Sequence, residues 1–300
     1  MAAHVRRINS QDKVATGILT FIVGIVLLIL AAIIIYILVQ GAGKLFDISF
    51  LTGEPEQFRA GGGIGPELFN SFYLLFLTLL ISVPISLGAA IFLAEYAPEN
   101  GVTAAAKTLI ETLSSLPSIV VGLFGFLFFV LMMGWGFSII SGAIALTMFN
   151  IPILVRVIQQ ALEDVPRSQR DAALAMGLTR WETTIHVLLP VAMPAIVTGI
   201  VLSAGRVFGE AAALIYTAGQ SAPTLDFTNF DLTSPTCPWN IFRPAETLAV
   251  HIWKINSEGV VPDLEAVSNG TAAVLMVCIL AFNIIARLVG KALERRLTRE

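Results

Sequence analysis

Long apolar runs separated by short polar stretches set the pattern of this chain. A helix that crosses a hydrocarbon layer about 30 Å thick needs roughly 20 apolar residues, each adding about 1.5 Å. Six stretches meet that length, near residues 16–39, 68–93, 109–133, 138–158, 191–217 and 268–290. In lipid every backbone N–H and C=O must be paired internally, so each run is expected to be a helix. The pattern predicts an all-α integral membrane protein, residues 1–300 forming one transmembrane domain of six helices.

The polar stretches differ among themselves. Residues 40–67 contain Gly61-Gly62-Gly63, Pro55 and Pro66, and residues 218–267 contain Pro223, Pro235, Pro238, Pro244 and Pro262. Both read as turn-rich outer loops. Within the second, residues 245–255 carry apolar positions at helical spacing and predict a short helix, either a packing plug or a docking surface. Lys and Arg set the orientation. Arg6, Arg7 and Lys13 precede the first run, Arg156, Arg167, Arg170 and Arg180 flank the fourth-to-fifth connection, and Arg287, Lys291, Arg295, Arg296 and Arg299 follow the last run. The outer stretches offer Lys44 and Arg59, then Arg243 and Lys254. Both termini and the 159–190 connection are therefore expected in the cytoplasm. Glu95, Glu99 and Glu111 leave the second-to-third connection without a basic excess, so alternation alone places it there.

Composition agrees. The chain is 56% hydrophobic and 13% charged, with a mean hydropathy of +0.83, where a soluble domain carries about 25% charged residues. No basic tail or aromatic–basic interleaving suggests nucleic acid. Cys237 and Cys278 lie far apart with no metal-ligand spacing, and read as two free thiols. The first apolar run is too long for the core of a cleaved signal peptide and reads as a retained span.

Between Gln159 and Pro190 the chain is too polar for lipid yet patterned. Pro166 suits a first turn, Ser168 is a candidate N-cap for a helix from about Gln169, and Asp171 in the first turn would suit the helix dipole. Ala172, Ala173 and Ala175 would offer a small, close-approach surface. Gly177 can take the left-handed conformation that ends a helix. A second helix follows, and Pro190 marks the return to the membrane. The spacing Asp171-Ala172-Ala173, three residues, Gly177, nine residues, then Val187-Leu188-Leu189-Pro190 resembles the cytoplasmic EAA loop of ABC-importer permeases, with Asp171 for Glu and Val187 for Ile. That resemblance implies a type I ABC-importer permease fold. It also gives Asp171, Ala172, Ala173 and Gly177 the role of coupling to a separate ATPase. No G-x-x-x-x-G-K-[ST] occurs, so ATP is expected to bind the partner, leaving this chain without cofactor or enzymatic activity.

The fifth run holds Arg206 and Glu210. A charge at mid-membrane costs about 2.5–3.5 kcal/mol on insertion scales, so such residues face protein or water. Spacing i,i+4 allows them to pair on one helix face, and Gly205 and Gly209 would form a ridge for close approach. Arg206 offers a fork of donors suited to an oxyanion. Either an anion path or a structural ion pair accounts for this. Ser114, Ser115 and Ser118 flank Pro117, which would bend the third span, and could add hydroxyls to such a path.

Residues 111–129, the loop to Pro190, and 205–220 together resemble the PstA-type permease of the bacterial phosphate importer. The resemblance implies phosphate passage along Arg206 and Glu210. Its implied partners are a PstC-type permease, two PstB-type ATPase subunits and a PstS-type binding protein. It implies a heterodimer embedded in lipid in the bacterial cytoplasmic (inner) membrane. Permeases for sulfate, molybdate or phosphonate fit the same chemistry. An ion-coupled secondary transporter would leave the loop unexplained. An intramembrane enzyme lacks a catalytic pair, since His4, His186 and His251 lie outside the runs.

Overall fold

The computed structural model describes residues 2–56, 59–259 and 261–297, without the side chains of residues 2–11 and 291–297. The charges of Arg6, Arg7, Lys291, Arg295, Arg296 and Arg299 lie outside what is described. The described residues are helices and connections, with no strand among them. In order these are α1 (Ala2–Leu45), α2 (Ile48–Thr52), α3 (Gly65–Ile91), α4 (Gly101–Ser114), α5 (Ser118–Gly125), α6 (Ile139–Glu163), α7 (Arg167–Ala175), α8 (Arg180–Thr183), α9 (Leu189–Phe208), α10 (Ala212–Thr217), α11 (Leu248–Glu258) and α12 (Leu264–Leu297). Three π-helical turns, Phe92–Tyr96, Phe126–Met132 and Thr184–Leu188, extend α3 and α5 and join α8 to α9.

Five continuous helical stretches are long and apolar enough to span: Asp12–Leu45, Gly65–Tyr96, Ile139–Glu163, Arg180–Phe208 and Leu264–Gly290. The third predicted span differs. It is two arms, Gly101–Ser114 and Ser118–Met132, bent by 95°. Pro117 explains the break: it has no N–H to give, and it disfavours helical geometry at Leu116 before it. The first arm lies against α6 and bonds Lys107 Nζ to Glu163 at 3.4 Å, and the second packs on α10 and α6. The fifth predicted span also ends early. Helix α9 stops at Phe208, and α10 resumes at Ala212.

Helix α6 is central, with α3, α9, α5 and α4 packed around it. Its apolar side chains feed two cores. Ile139, Leu146, Leu74, Leu214 and Leu248 fill one near the outer loops, and Leu154, Ile158, Leu162, Leu188 and Ile196 fill the other near the 159–190 loop. Between them a buried polar seam runs across three helices: Asn150 Nδ2 donates to Ser82 Oγ at 3.1 Å, and Ser203 Oγ donates to Asn150 Oδ1. In an apolar surround such bonds fix helix register, because water offers no alternative partner. Gly122 shows how closely helices approach: a Cβ there would stand 2.7 Å from Ala213 Cα of α10.

Helix α1 is at the other extreme. Most of its span is exposed, and it touches the bundle chiefly through α12, where Gly41 lies against Asn269 and Ala273. Phe21, Leu28 and Tyr36 stand 69%, 70% and 64% exposed, as expected of side chains whose solvent is lipid or another helix.

The two outer stretches pack together at one end. Thr224 Oγ1 donates to Glu54 Oε2 at 3.1 Å, and Gly61 N–H donates to Asp263 Oδ2 at 3.0 Å. Helix α11 is the predicted short helix, capped by Thr247 and ended by left-handed Gly259 at φ +65°. One face of it, Leu248, Val250 and Ile255, is buried in the core near the outer loops.

Candidate functional site

Two places carry the residues singled out in the sequence, an elbow at one end of the bundle and a helix break inside it. The elbow begins one residue after Pro166, with Arg167 as the first residue of α7 and no side chain capping it. The expected Ser168 cap is therefore absent, because Pro166 with its fixed φ already turns the chain into the helix. Asp171 falls in the second turn. Helix α7 ends as its sequence requires: Gly177 takes φ +90°, its N–H bonds Leu174 O at 3.0 Å, and Leu178 N–H bonds Ala173 O at 3.2 Å. This is the left-handed cap that returns orphan carbonyls to partners. Thr179 then caps α8 with Glu182 in a reciprocal capping box, Thr179 N–H donating to Glu182 Oε2 at 2.8 Å.

Pro190 does not break the second helix. Residues 180–208 run on as one helical rod through the π turn, in which Leu189 N–H reaches back to Thr184 O. A wider turn gives room for the proline ring that would otherwise clash with the carbonyl four residues back. Asp171, Ala172, Leu174, Ala175 and Met176 present an exposed face, whereas Ala173 is buried. Ala173 belongs to the inside of the elbow, not to the small-residue surface expected of it.

The sequence missed the elbow's anchor. Arg170 NH2 forms an ion pair with Glu95 in the π turn that ends α3. Glu95 is nearly buried, and the pair holds the second-to-third connection and the 159–190 loop at the same end of the bundle. Acidic Glu95 had weakened the charge count for that connection; its partner explains why an acid sits there.

At the helix break, Arg206 is the last basic residue of α9, exposed on its own chain, with its guanidinium 4.0 Å from the centroid of the Phe149 ring on α6. A guanidinium over an aromatic face is attracted by the ring quadrupole. Glu210 sits in the break and accepts the N–H of Ala213 through Oε1 at 3.2 Å. No ion pair joins Arg206 to Glu210 among the described residues. The i,i+4 face that would have paired them is lost where α9 ends. Nor do the two glycines form one ridge: Gly205 lies near Asn283 of α12, while Gly209 faces only its own helix backbone.

Ser114 and Ser115 lie at the end of α4, beside the bend. Ser114 Oγ donates to Glu111 O and Ser115 Oγ to Thr112 O, each at 2.7 Å. Their hydroxyls close their own helix.

The described residues thus form an apolar helical bundle with a polar elbow at one end and a charged break in one helix. The family model described as "Binding-protein-dependent transport system inner membrane component" matches residues 86–299, and the chain belongs to that family. It is 51% identical over 287 residues to the "Probable ABC transporter permease protein YqgI" of Bacillus subtilis (strain 168), covering 96% of this chain and 97% of that protein. It is 32% identical over 246 residues to the "Phosphate transport system permease protein PstA" of Yersinia pestis, covering 80% of this chain and 76% of that one. In fold it resembles a chain of the bacterial alginate ABC transporter solved with a pentasaccharide-bound periplasmic protein, at a TM-score of 0.62 and 15% identity, covering 92% and 93% of the two chains.

Proposed function

We propose that this chain is the PstA-type permease subunit of an ATP-driven importer that carries inorganic phosphate across a bacterial cytoplasmic membrane. The observation that carries this reading is Arg206, an exposed guanidinium in an apolar helix beside a break in the backbone. Such a charge is unstable against lipid and must face a partner chain or water. Facing a PstC-type partner, it would line a shared path and offer an oxyanion a fork of donors. Glu210, half-buried at the break, sits where it would limit how long an anion dwells. The elbow of Asp171, Ala172, Ala173 and Gly177 would seat in one of two PstB-type ATPase subunits, and a PstS-type protein would deliver phosphate to the outer loops. ATP is held by that partner and not here.

Phosphate as cargo rests on the PstA name of the Yersinia relative and on the resemblance of residues 111–129 and 205–220 to that permease type. A guanidinium by itself does not choose among oxyanions, so sulfate, molybdate or phosphonate is the second reading. The test is reconstitution of the chain with its genomic partners in proteoliposomes. Expected are ATP-dependent uptake of labelled phosphate, competition by unlabelled phosphate and none by sulfate, and no hydrolysis of ATP by this chain alone. Competition by sulfate with none by phosphate would replace the cargo; ATP hydrolysis by the isolated chain would overturn the class.

A further inference from the structure

At the end of the bundle away from the elbow, the first turn of α3 and helix α11 enclose charged side chains that the transport reading does not use. Glu67 is 0% exposed, and neither of its carboxylate oxygens has a hydrogen-bond partner among the described residues. Glu246 and His251 are buried beside it. His251 Nδ1 lies 2.7 Å from Glu246 Oε1 and 3.9 Å from Glu67 Oε1. Lys254 Nζ donates to Glu246 Oε2 at 3.0 Å and to Gln220 O at 2.7 Å. One ligand atom from each of Glu67, Glu246 and His251 lies within 4.8 Å of the other two.

A buried carboxylate without a hydrogen-bond partner is costly as a bare anion, and is stabilised by taking up a cation or a proton. Glu67 is the group without a partner, and its Oε1 is 3.9 Å from His251 Nδ1. His251 completes a donor set: Nδ1 is the ring nitrogen that faces both carboxylates, and the proton it shares with Glu246 Oε1 is the one a bound ion would displace.

We propose that Glu67, Glu246 and His251 bind a divalent transition-metal ion, and that Zn²⁺ is the ion their chemistry fits. Zn²⁺ accepts imidazole nitrogen together with carboxylate oxygen, whereas Mg²⁺ and Ca²⁺ take shells of oxygen. The ion would neutralise Glu67 and give its oxygens a partner, while Lys254 keeps the second oxygen of Glu246 in place. A cavity of ≈ 190 Å³, lined by Glu56 and Glu258 among others, borders the cluster at His251 and Lys254. Because Glu67 begins α3 and the other two ligands come from the α11 region, the bound ion would staple the long outer segment to the bundle.

The test uses the full-length chain in detergent, stripped with a chelator, dialysed and titrated with Zn²⁺ alone. Calorimetry, metal analysis and thermal unfolding are the readouts. Expected are one Zn²⁺ per chain, a raised unfolding midpoint, and no comparable rise with Mg²⁺. Glu67→Gln and His251→Gln should each weaken Zn²⁺ binding at least ten-fold and remove the rise. Without metal, Glu67→Gln should unfold at or above the parent midpoint, since it removes a buried ionisable group that has no partner. Failure of the parent chain to bind Zn²⁺, or an affinity in both variants equal to the parent's, would overturn the site. Neither result bears on phosphate uptake, so the two readings fail separately.

Discussion

Arg206 carries its charge on the outside of its own chain, with Phe149 as its neighbour and no acid to pair with among the described residues. Its guanidinium lies over that ring face and makes no side-chain hydrogen bond or ion pair among the described residues. Arg206→Gln keeps the shape and removes the charge, and is expected to cut phosphate uptake by the assembled complex more than ten-fold without loss of assembly on size exclusion. Retained uptake would return Arg206 to packing. Ser114 and Ser115 point the other way, since each hydroxyl already bonds its own helix. The double replacement by Ala is expected to leave uptake within two-fold of the parent in the same assay, and a larger loss would restore them to the path. Arg206 and Glu210 were legible as chemistry because ionisable residues are rare in such runs, but their separation was not. It follows from Gly209 and the end of α9, and no local periodicity announces where a helix inside a membrane will stop.

At the scale of elements, the elbow is the clearest agreement between local sequence and structure. Gly177 at φ +90° and the Thr179–Glu182 capping box are consequences of residues within a few positions of each other. Gly177→Val forces a β-branched side chain into left-handed backbone, at a cost of about 1–2 kcal/mol or more. It is expected to loosen the elbow, lowering transport-coupled ATP hydrolysis several-fold while the circular dichroism of the isolated chain stays helical; unchanged coupling would show that the elbow's angle is unimportant. The π turns were not legible. A π turn is one extra residue taken up within a helix, and the hydrophobic pattern shifts too little to mark it. The 95° bend was partly legible, through Pro117, although the size of the angle depends on how α4 lies against α6.

Across the whole molecule, the outer segment is held down by buried polar groups. Arg243 is 1% exposed; it donates to Asn70 Oδ1 at 2.8 Å and to Pro238 O at 3.1 Å. Burial pushes its pKa down to about 10, still well above neutrality, so it stays charged. In the sequence it was one of two basic residues in a long outer loop. Arg243→Ala leaves those acceptors buried and unpaired, a loss on the order of 3 kcal/mol. The expected outcome is a fall of several degrees in the unfolding midpoint in detergent, with protease cutting first within residues 218–247; an unchanged midpoint would mean that the apolar contacts of α11 suffice.

The sequence by itself determined the apolar runs, the polar loop with its turn chemistry, and the rare charges, because each is a property of neighbouring residues and of the length needed to cross lipid. Tertiary structure alone decided that α6 is the axis of the bundle, that Arg170 meets Glu95, that Arg206 and Glu210 part, and that Glu67 shares a buried pocket with Glu246 and His251. Those facts join residues far apart in the chain. They exist only when packing has chosen which helix faces which, and composition or spacing along one strand of sequence does not encode that choice in readable form.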